Sequence, residues 1–326
     1  MPLNAFISGP TAGGAMSTPR AVNAEFWNSI CPRSERKIIS SVNQPDGIEG
    51  DVLMDWWVTR LEGIDERCVE IDSEKKTMFD YILFGDTRIL SLWPGLSKSP
   101  ILKDFKWSSL VQSTIDSNLA VIHPDAPSST STSSSSSTTL NGLIAVHLRR
   151  GDFKGHCKYL VKWHAEYMGF NRFPSMLDTF DSSSERPPEM HRQYYMQHCM
   201  PEVEEIMERL RAVRMVNPGL NRVYALTNGK KDWVVGLKRA LLRDGWVDVK
   251  SSLDLKMDSA QRHVSMAVDM AIAEQAEVFL GNGVCFVRLL RATFGLMSSL
   301  QFSSLTSNVV TLRMAKGLPT SSNRLL

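Results

Sequence analysis

The chain has 326 residues, of which 43% are hydrophobic and 22% are charged, so it can bury a sizeable core and is long enough for two domains. A net charge of +2 with dispersed basic residues does not indicate a nucleic-acid or polybasic membrane surface. No apolar run reaches the roughly 18 residues of a membrane span. The opening Met1-Pro-Leu-Asn-Ala5 lacks the basic and apolar regions of a signal peptide, so a chain with this start is expected to be cytoplasmic.

Residues 1–126 are predicted to form the first domain. Gly9-Pro-Thr-Ala-Gly-Gly14 could cradle a phosphate, but a plain turn is favoured because no complete strand precedes it and no lysine follows it. Further elements are predicted from periodicity and breaker residues: a core segment at 51–62, helices at 75–84 and 107–119, and strands at 88–93 and 119–122.

The composition changes at Pro127. Residues 128–139 are all serine or threonine and cannot bury apolar surface, so 127–140 are expected to form a flexible linker. Beyond it, residues 141–326 alternate strands with helices, which is typical of a parallel, right-handed, Rossmann-like sheet. The predicted strands are 143–148, 222–226, 246–249 and 277–280, and the predicted helices lie within 188–214 and at 231–243 and 262–275.

The clearest functional signal is the end of the first of these strands, where an apolar run stops in His147-Leu-Arg-Arg-Gly-Asp152. In an open α/β sheet, ligands bind outside the carboxyl ends of the strands, and a pair of arginines there suits a phosphate or carboxylate. Polar residues also follow the second and last strands, at 227–229 and 281–283, and should share this crevice. An ion pair between the arginines and the aspartate is the alternative.

The segment after the last strand departs from the pattern. A strand ending in Gly281-Asn-Gly283 should lead into a helix that receives an anion, yet the apolar and basic run Val284–Gln301 comes first. Ser303, Ser304 and Thr306 then resemble the delayed helix start. Hydroxyls at a helix N-terminus can bind phosphate, although capping the helix is their commoner role.

Five cysteines lie at positions 31, 68, 157, 199 and 285. They are too few for a disulfide scaffold and lack the paired CxxC spacing of zinc sites. His156, Cys157, His164 and Cys199 could be imagined around a metal, but their spacing is irregular. No metal site is therefore expected, and a disulfide between Cys157 and Cys199 is favoured.

Three motifs together resemble those of the GDP-fucose protein O-fucosyltransferases: His147–Phe153, Val268-Asp269 ahead of Ala276–Asn282, and Ser303–Thr306. The resemblance covers residues 141–314 well and the N-terminal part only loosely. It implies an α/β, GT-B-like fold of two Rossmann-like domains, here with the N-terminal one incomplete. It also implies transfer of fucose from GDP-fucose to a hydroxyl acceptor, on a protein, with inversion.

The resemblance also assigns a donor site, formed by His147, Arg149, Asp269, Asn282, Ser303, Ser304 and Thr306. Arg149 matches the family's catalytic arginine, which contacts the phosphates and neutralises the charge that develops as GDP leaves. Asp269 matches an aspartate associated with guanosine, and the three hydroxyl residues match those that hold the β-phosphate. No metal or other cofactor is implied, so the expected partners are the nucleotide sugar and a glycan or protein hydroxyl.

The family location is the lumen of the endoplasmic reticulum or Golgi, where Cys157 and Cys199 would be oxidised to each other. The family's N-terminal domain begins with a strand and a loop resembling G-x-x-N-Q, which has no counterpart before Asn4. The chain is therefore expected to be truncated there, and a general base cannot be named. The alternative function is an inactive fragment or pseudoenzyme with weak or no GDP binding.

Two other functions are disfavoured. A nucleotide-dependent oxidoreductase would need a G-x-G-x-x-G turn after the first strand, which here ends in arginines. The triplet Arg150-Gly-Asp152 could be an adhesion motif, but it lies at the end of a predicted buried strand.

A retained intron would explain Val284–Gln301. Removing these 18 residues joins Gly281-Asn-Gly283 to Phe302 and restores the strand, turn and helix start of the family pattern. The corresponding 54 nucleotides keep the reading frame, and Val284-Cys285 and Gln301 can be encoded by the common splice sequences GTATGT and CAG. The alternative is a genuine loop or helix, because apolar residues lie near helical spacing at Phe286, Leu289, Leu290 and Phe294.

Overall fold

The computed structural model describes residues 5–8, 24–72, 76–124, 139–151, 153–173, 180–182, 185–281 and 299–301. The strands are β1 (Ile7–Ser8), β2 (Lys37–Ser40), β3 (Val69–Asp72), β4 (Lys106–Trp107), β5 (Leu140–Leu148), β6 (Arg222–Thr227), β7 (Asp248–Ser251), β8 (Ala276–Gly281) and β9 (Ser299–Gln301). The α-helices are α1 (Ala24–Ile30), α2 (Gly50–Leu61), α3 (Tyr81–Gly85), α4 (Trp93–Leu96), α5 (Pro100–Lys103), α6 (Ser109–Ile122), α7 (Phe153–Trp163), α8 (Pro188–Cys199), α9 (Val203–Val216), α10 (Lys231–Arg243), α11 (Ser259–His263) and α12 (Ser265–Gln275). Short 3-10 helices span Arg33–Glu35, Thr87–Leu92, Gly169–Arg172 and Ser252–Asp254.

A five-stranded sheet forms the larger half of the molecule, in the order β7-β6-β5-β8-β9 with every pairing parallel. Successive residues of β5 point to opposite faces, and both faces are covered by helices. Leu143 and Ala145 pack with α6 and α12, whereas Ile144 and Val146 pack with α9 and α10. The α/β fold with a parallel sheet, expected from the alternation of elements, is confirmed.

Two predicted helices of this region are divided. The helix expected within 188–214 is interrupted at Met200-Pro201, because proline cannot donate to the preceding turn. The second part, α9, starts from a capping box in which Glu202 and Glu205 exchange hydrogen bonds with each other's backbone amides. The helix expected at 262–275 likewise consists of α11 and α12, which meet at Val264.

The N-terminal region has a smaller parallel pair, β2 and β3, connected by α2. Its core contains Leu53 and Trp57 of α2, together with Ile39, Leu83 and Ile89. The indole Nε1 of Trp57 donates to Gln44 Oε1 at 2.9 Å, which satisfies the buried N–H. The expectation that residues 51–62 contribute to the core is confirmed for Leu53 and Trp57 but wrong for Val52, Val58 and Leu61, which lie on the exposed side of α2.

Three other predictions for this region are wrong. Residues 88–93 are not a strand: Asp86 accepts a hydrogen bond from Arg88 N–H and starts a 3-10 helix, and Pro94 lies in the first turn of α4. The helix expected at 75–84 begins only at Tyr81, where Asp80 caps it. Residues 119–122 are the last turns of α6 rather than a strand, because Ser108 caps a helix whose buried side extends to Ile122.

The two regions exchange segments. Helix α6 precedes the Ser/Thr-rich segment in sequence, yet Val111 and Ile115 pack against the five-stranded sheet. In return, Phe170 of the 3-10 helix at 169–172 completes the N-terminal core beside Ile89. This approach requires Gly169, since a Cβ there would lie 2.0 Å from the carbonyl oxygen of Asp86.

Two disulfides lie within the described residues. One joins Cys31 to Cys68 at the start of the β2–β3 pair, and no sequence signal pointed to it. The other joins Cys157 of α7 to Cys199 of α8, the pairing favoured from the sequence. None of the described helices is both long and apolar enough to cross a membrane.

Candidate functional site

The two arginines after β5 have different environments. Arg150 is 9% exposed, its guanidinium donates to the carbonyl of Pro201, and it lies 4.2 Å from the centroid of the Trp233 ring. Burial lowers the pKa of Arg150, and the charges of Glu202 and Glu205 oppose that change. Arg150 therefore ties the end of β5 to the segment before α9 and to α10.

Arg149 is less buried than Arg150 and contacts a different element. Its side chain is partly exposed, and the guanidinium lies 5.4 Å from the centroid of the Phe153 ring, at the first residue of α7. The chain turns here at Gly151, whose φ of +57° favours glycine and whose position is crowded by Asn228. The turn leaves Arg149 at the carboxyl edge of the sheet, where an anionic ligand can reach it.

The end of β6 lies next to the end of β5. Leu148 pairs with Thr227, and Thr227 Oγ1 donates to the carbonyl of Leu148 at 2.6 Å. The same oxygen accepts from the N–H of Gly229 at 3.0 Å, and Asn228 Oδ1 accepts from the N–H of Arg150 at 2.8 Å. These bonds fix the loop after β6 against the loop that carries Arg149.

A hydrogen-bonded network follows on the α12 side of the sheet. Asp269 of α12 accepts hydrogen bonds from Tyr224 Oη at 2.6 Å and from Ser252 Oγ at 2.7 Å. Burial raises the pKa of Asp269 to about 6, while these two hydrogen bonds act in the opposite direction. Ser252 Oγ also accepts from the N–H of Thr227, so Asp269 is connected to the end of β6 through one side chain. The roles of Tyr224 and Ser252 were not foreseen from the sequence.

The predicted donor-site residues are only partly within the described chain. His147 lies on β5, opposite Leu226 in the sheet, and Arg149 follows two residues later. Asp269 lies on α12, in the network with Ser252. Asp152 and the remaining predicted donor-site residues fall outside the described residues: Asn282, Ser303, Ser304 and Thr306.

Two of the four residues considered as metal ligands, and set aside, form a disulfide. Cys157 and Cys199 are bonded to each other, so neither is available as a thiolate ligand. Within the described ranges, no group of three histidine, cysteine or acidic side chains could hold a metal ion. The group at the carboxyl edge that suits phosphate oxygens is the Arg149 guanidinium, whereas the hydroxyls of Thr227 and Ser252 hydrogen-bond within the loops.

A parallel sheet with helices on both faces and an arginine at its carboxyl edge is typical of the nucleotide-binding α/β class. The sequence model described as "GDP-fucose protein O-fucosyltransferase" matches residues 103–285, more than half of the chain. The chain belongs to this family and is a fucosyltransferase-like glycosyltransferase. The match begins just before α6, which packs on the sheet, and ends just after β8.

Solved structures of POFUT1 also match. The structure in complex with GDP-fucose is 16% identical, with a TM-score of 0.43, over 76% of this chain and 57% of that chain. A structure in complex with GDP is 16% identical, with a TM-score of 0.49, over 93% of this chain and 85% of that chain. The chain thus spans 57% of the length of the first of these structures and 85% of the second. No curated protein matches it.

Proposed function

We propose that the protein transfers fucose from GDP-fucose to a hydroxyl acceptor on a protein, with inversion at the anomeric carbon. The observation that supports it most is the placement of Arg149 at the carboxyl edge of the sheet, directly after β5 and with its guanidinium beside the first residue of α7. Family membership supplies the donor, because the matched family is defined by GDP-fucose.

The chemistry follows from charge. The bond between the fucose anomeric carbon and the β-phosphate oxygen breaks, and GDP leaves with an additional negative charge. The acceptor oxygen forms the new bond from the opposite face, and its proton passes to a base that remains unassigned. Arg149 would stabilise the departing phosphate, and removing one such preorganised donor commonly costs about 3 to 4 kcal/mol of transition-state stabilisation.

The remaining donor contacts are proposed from the family motifs. His147 is assigned to the nucleotide side, Asn282 to the turn after β8, and the hydroxyls at 303, 304 and 306 to the β-phosphate. Asp269 is assigned to the guanosine end of the site. Because both of its oxygens already accept hydrogen bonds, its contribution includes holding Ser252 in place.

We also propose that residues 284–301 are a retained intron and that the Ser/Thr-rich segment between α6 and β5 is a linker. The end of the family match at residue 285 supports the first of these. The formation of β9 by residues 299–301 is the opposing observation. Transcripts that all retain the 54 nucleotides, together with equal GDP affinity of versions with and without 284–301, would contradict the intron.

The proposed location is the lumen of the secretory pathway, as the family resemblance implies. The two disulfides support an oxidising compartment, since structural disulfides are rare in the cytosol.

The proposal is tested by calorimetry of the full chain with GDP and by measuring GDP release from GDP-fucose in the presence of a hydroxyl acceptor. Arg149→Lys should weaken GDP binding and lower turnover by about 100-fold, because lysine cannot make a bidentate phosphate contact. Arg192→Lys is the matched control, since Arg192 is exposed and pairs only with Glu189 among the described residues. Equal behaviour of both variants and the wild type would remove Arg149 from the reaction. GDP binding by a chain that does not release GDP from GDP-fucose would favour an inactive family member.

A further inference from the structure

The outer face of α7 combines exposed aromatic and basic side chains. Cys157 and Leu160 form the buried side of this helix. Its exposed side, termed the α7 face, consists of Lys154, Lys158, Tyr159, Lys162 and Trp163. Tyr159 is 54% exposed and Trp163 is 63% exposed. Large aromatic side chains this accessible are typical of interaction sites, where tryptophan and tyrosine are enriched.

The two aromatic rings are already ordered. Tyr159 and Trp163 are four residues apart on the helix, and their rings stack with centroids 5.3 Å apart and an interplanar angle of 22°. Each ring limits the rotation of the other, so less conformational entropy is lost when a partner packs against them. The pair therefore forms a preorganised apolar platform.

Among the described residues, the positive charge of the α7 face has no acidic partner. Helix α7 has three lysines and no acidic residue, and none of the three forms an ion pair with any residue that the structure describes. The acidic residues Asp181 and Glu189, on the neighbouring segment and α8, pair with Arg186 and Arg192. The α7 face therefore presents positive charge to its surroundings and complements an acidic partner.

The face leads directly away from the proposed transfer site. Helix α7 begins at Phe153, whose ring contacts the Arg149 guanidinium. With a rise of 1.5 Å per residue, Tyr159 lies roughly 9 Å and Trp163 roughly 15 Å further along the helix. An extended peptide spans the roughly 15 Å from Phe153 to Trp163 with about four to five residues.

We propose that the α7 face docks an acidic polypeptide segment of the acceptor, about four to five residues from the hydroxyl that receives fucose. The aromatic pair packs against the segment, and Lys158 and Lys162 pair with its carboxylates. This inference rests on the proposed function, because it assigns the acceptor to the side of Arg149 on which α7 lies.

The test uses the full chain and a fluorescein-labelled peptide that has one threonine followed by a run of glutamates. Fluorescence anisotropy should give an affinity at least ten-fold lower for Lys158→Glu/Lys162→Glu and for Trp163→Ala than for the wild type. The matched control, Lys103→Glu/Lys106→Glu, makes the same charge change at exposed lysines outside α7 and should bind as the wild type does. The same peptide with lysines in place of the glutamates should not bind.

GDP affinity is measured by calorimetry on every variant in parallel. Unchanged GDP binding with the expected loss of peptide binding supports the docking site. Equal peptide affinity of the wild type and the α7 variants would overturn it while leaving the proposed function intact, as would binding of a neutral oligosaccharide through Trp163 with no binding of the acidic peptide. Peptide binding through α7 by a chain that does not bind GDP would overturn the proposed function and the acceptor role of the face with it.

Discussion

The five-stranded sheet and the N-terminal region reach their cores by different routes. In the sheet, alternate residues of β5 supply two apolar clusters, one on each face. The N-terminal region has one cluster around a two-stranded parallel pair, and it obtains Phe170 from a segment far along the chain. The two sheet clusters are large and combine residues from 111 to 279 on one face and from 144 to 280 on the other, whereas the N-terminal core is a single smaller cluster beside the Cys31–Cys68 disulfide.

The largest expected effect comes from removing the N-terminal bridge. The Cys31–Cys68 and Cys157–Cys199 disulfides have similar sequence separations, 37 and 42 residues, so each constrains the unfolded chain by about 4 kcal/mol. Cys31→Ser/Cys68→Ser should unfold the N-terminal region, because its core is small, while the sheet stays folded. Hydrogen exchange resolved by peptide measures this. Cys157→Ser/Cys199→Ser is the control, and N-terminal amides that stay equally protected in both variants would contradict the contrast.

A second substitution tests the contact between the N-terminal region and the 3-10 helix at 169–172. Gly169→Ala places a Cβ against the Asp86 carbonyl and should destabilise the native state by about 3 kcal/mol, since overpacking against backbone cannot be relieved by a rotamer change. Urea unfolding followed by tryptophan fluorescence measures the change. Gly155→Ala is the matched control, because a Cβ at that exposed position on α7 meets nothing within 4 Å. A similar midpoint for both variants would show that the contact contributes little.

Two aspartates of the sheet region, Asp269 and Asp254, should change the free energy of unfolding with pH in opposite directions. Burial raises the pKa of Asp269 to about 6, so the native state prefers the protonated carboxyl, and its stability falls as pH rises from about 4 through 6. Asp269→Asn should remove this slope, because an amide does not titrate between pH 4 and 8. Denaturant unfolding between pH 4 and 8 measures the slope.

Asp254 provides the opposite control. Burial would raise its pKa, but hydrogen bonds from Lys238 and Ser251 outweigh that effect and lower it. Its contribution is therefore present above the unfolded pKa and is lost as pH falls, so Asp254→Asn should lower stability near neutral pH. Parallel pH profiles for the two variants would contradict both assignments.

The smallest expected effect distinguishes the two arginines. Arg150→Lys should lower the free energy of unfolding by about 1 to 2 kcal/mol, because lysine loses the planar stack on Trp233 and the bond to Pro201. Arg149→Lys should lower stability less than Arg150→Lys does, while weakening GDP binding. Thermal unfolding with and without GDP separates these effects. Equal melting temperatures for the two variants would remove the structural role of Arg150.

The sequence predicted the sheet because β5 is apolar over residues 143–146 and the following strands alternate with helices of clear periodicity. The strand predicted at 88–93 was wrong, because Asp86 accepts a hydrogen bond from Arg88 N–H and caps a 3-10 helix there despite the apolar pattern. Helix α7 was missed because its buried side consists of little more than Cys157 and Leu160 among lysines.

The candidate site was predictable only in part. The end of β5 could be identified because charge follows an apolar strand, but adjacent arginines look alike in sequence. Only the contacts of Arg150 with Pro201 and Trp233, residues 51 and 83 positions away, separate a structural from a binding role. The bond from Tyr224 to Asp269 spans 45 residues and depends on the packing of α12 against the sheet.

The exchange of segments between the two regions also affects the order in which they fold during translation. Residues 31 and 68 emerge from the ribosome early enough for their bridge to form before the N-terminal core is complete. That core cannot close until Phe170 has been translated, and α6 has no surface to pack on until β5 and α12 are present. The N-terminal core therefore stays incomplete while the chain between Ile89 and Phe170 is synthesised, and its exposed apolar side chains are a target for chaperones.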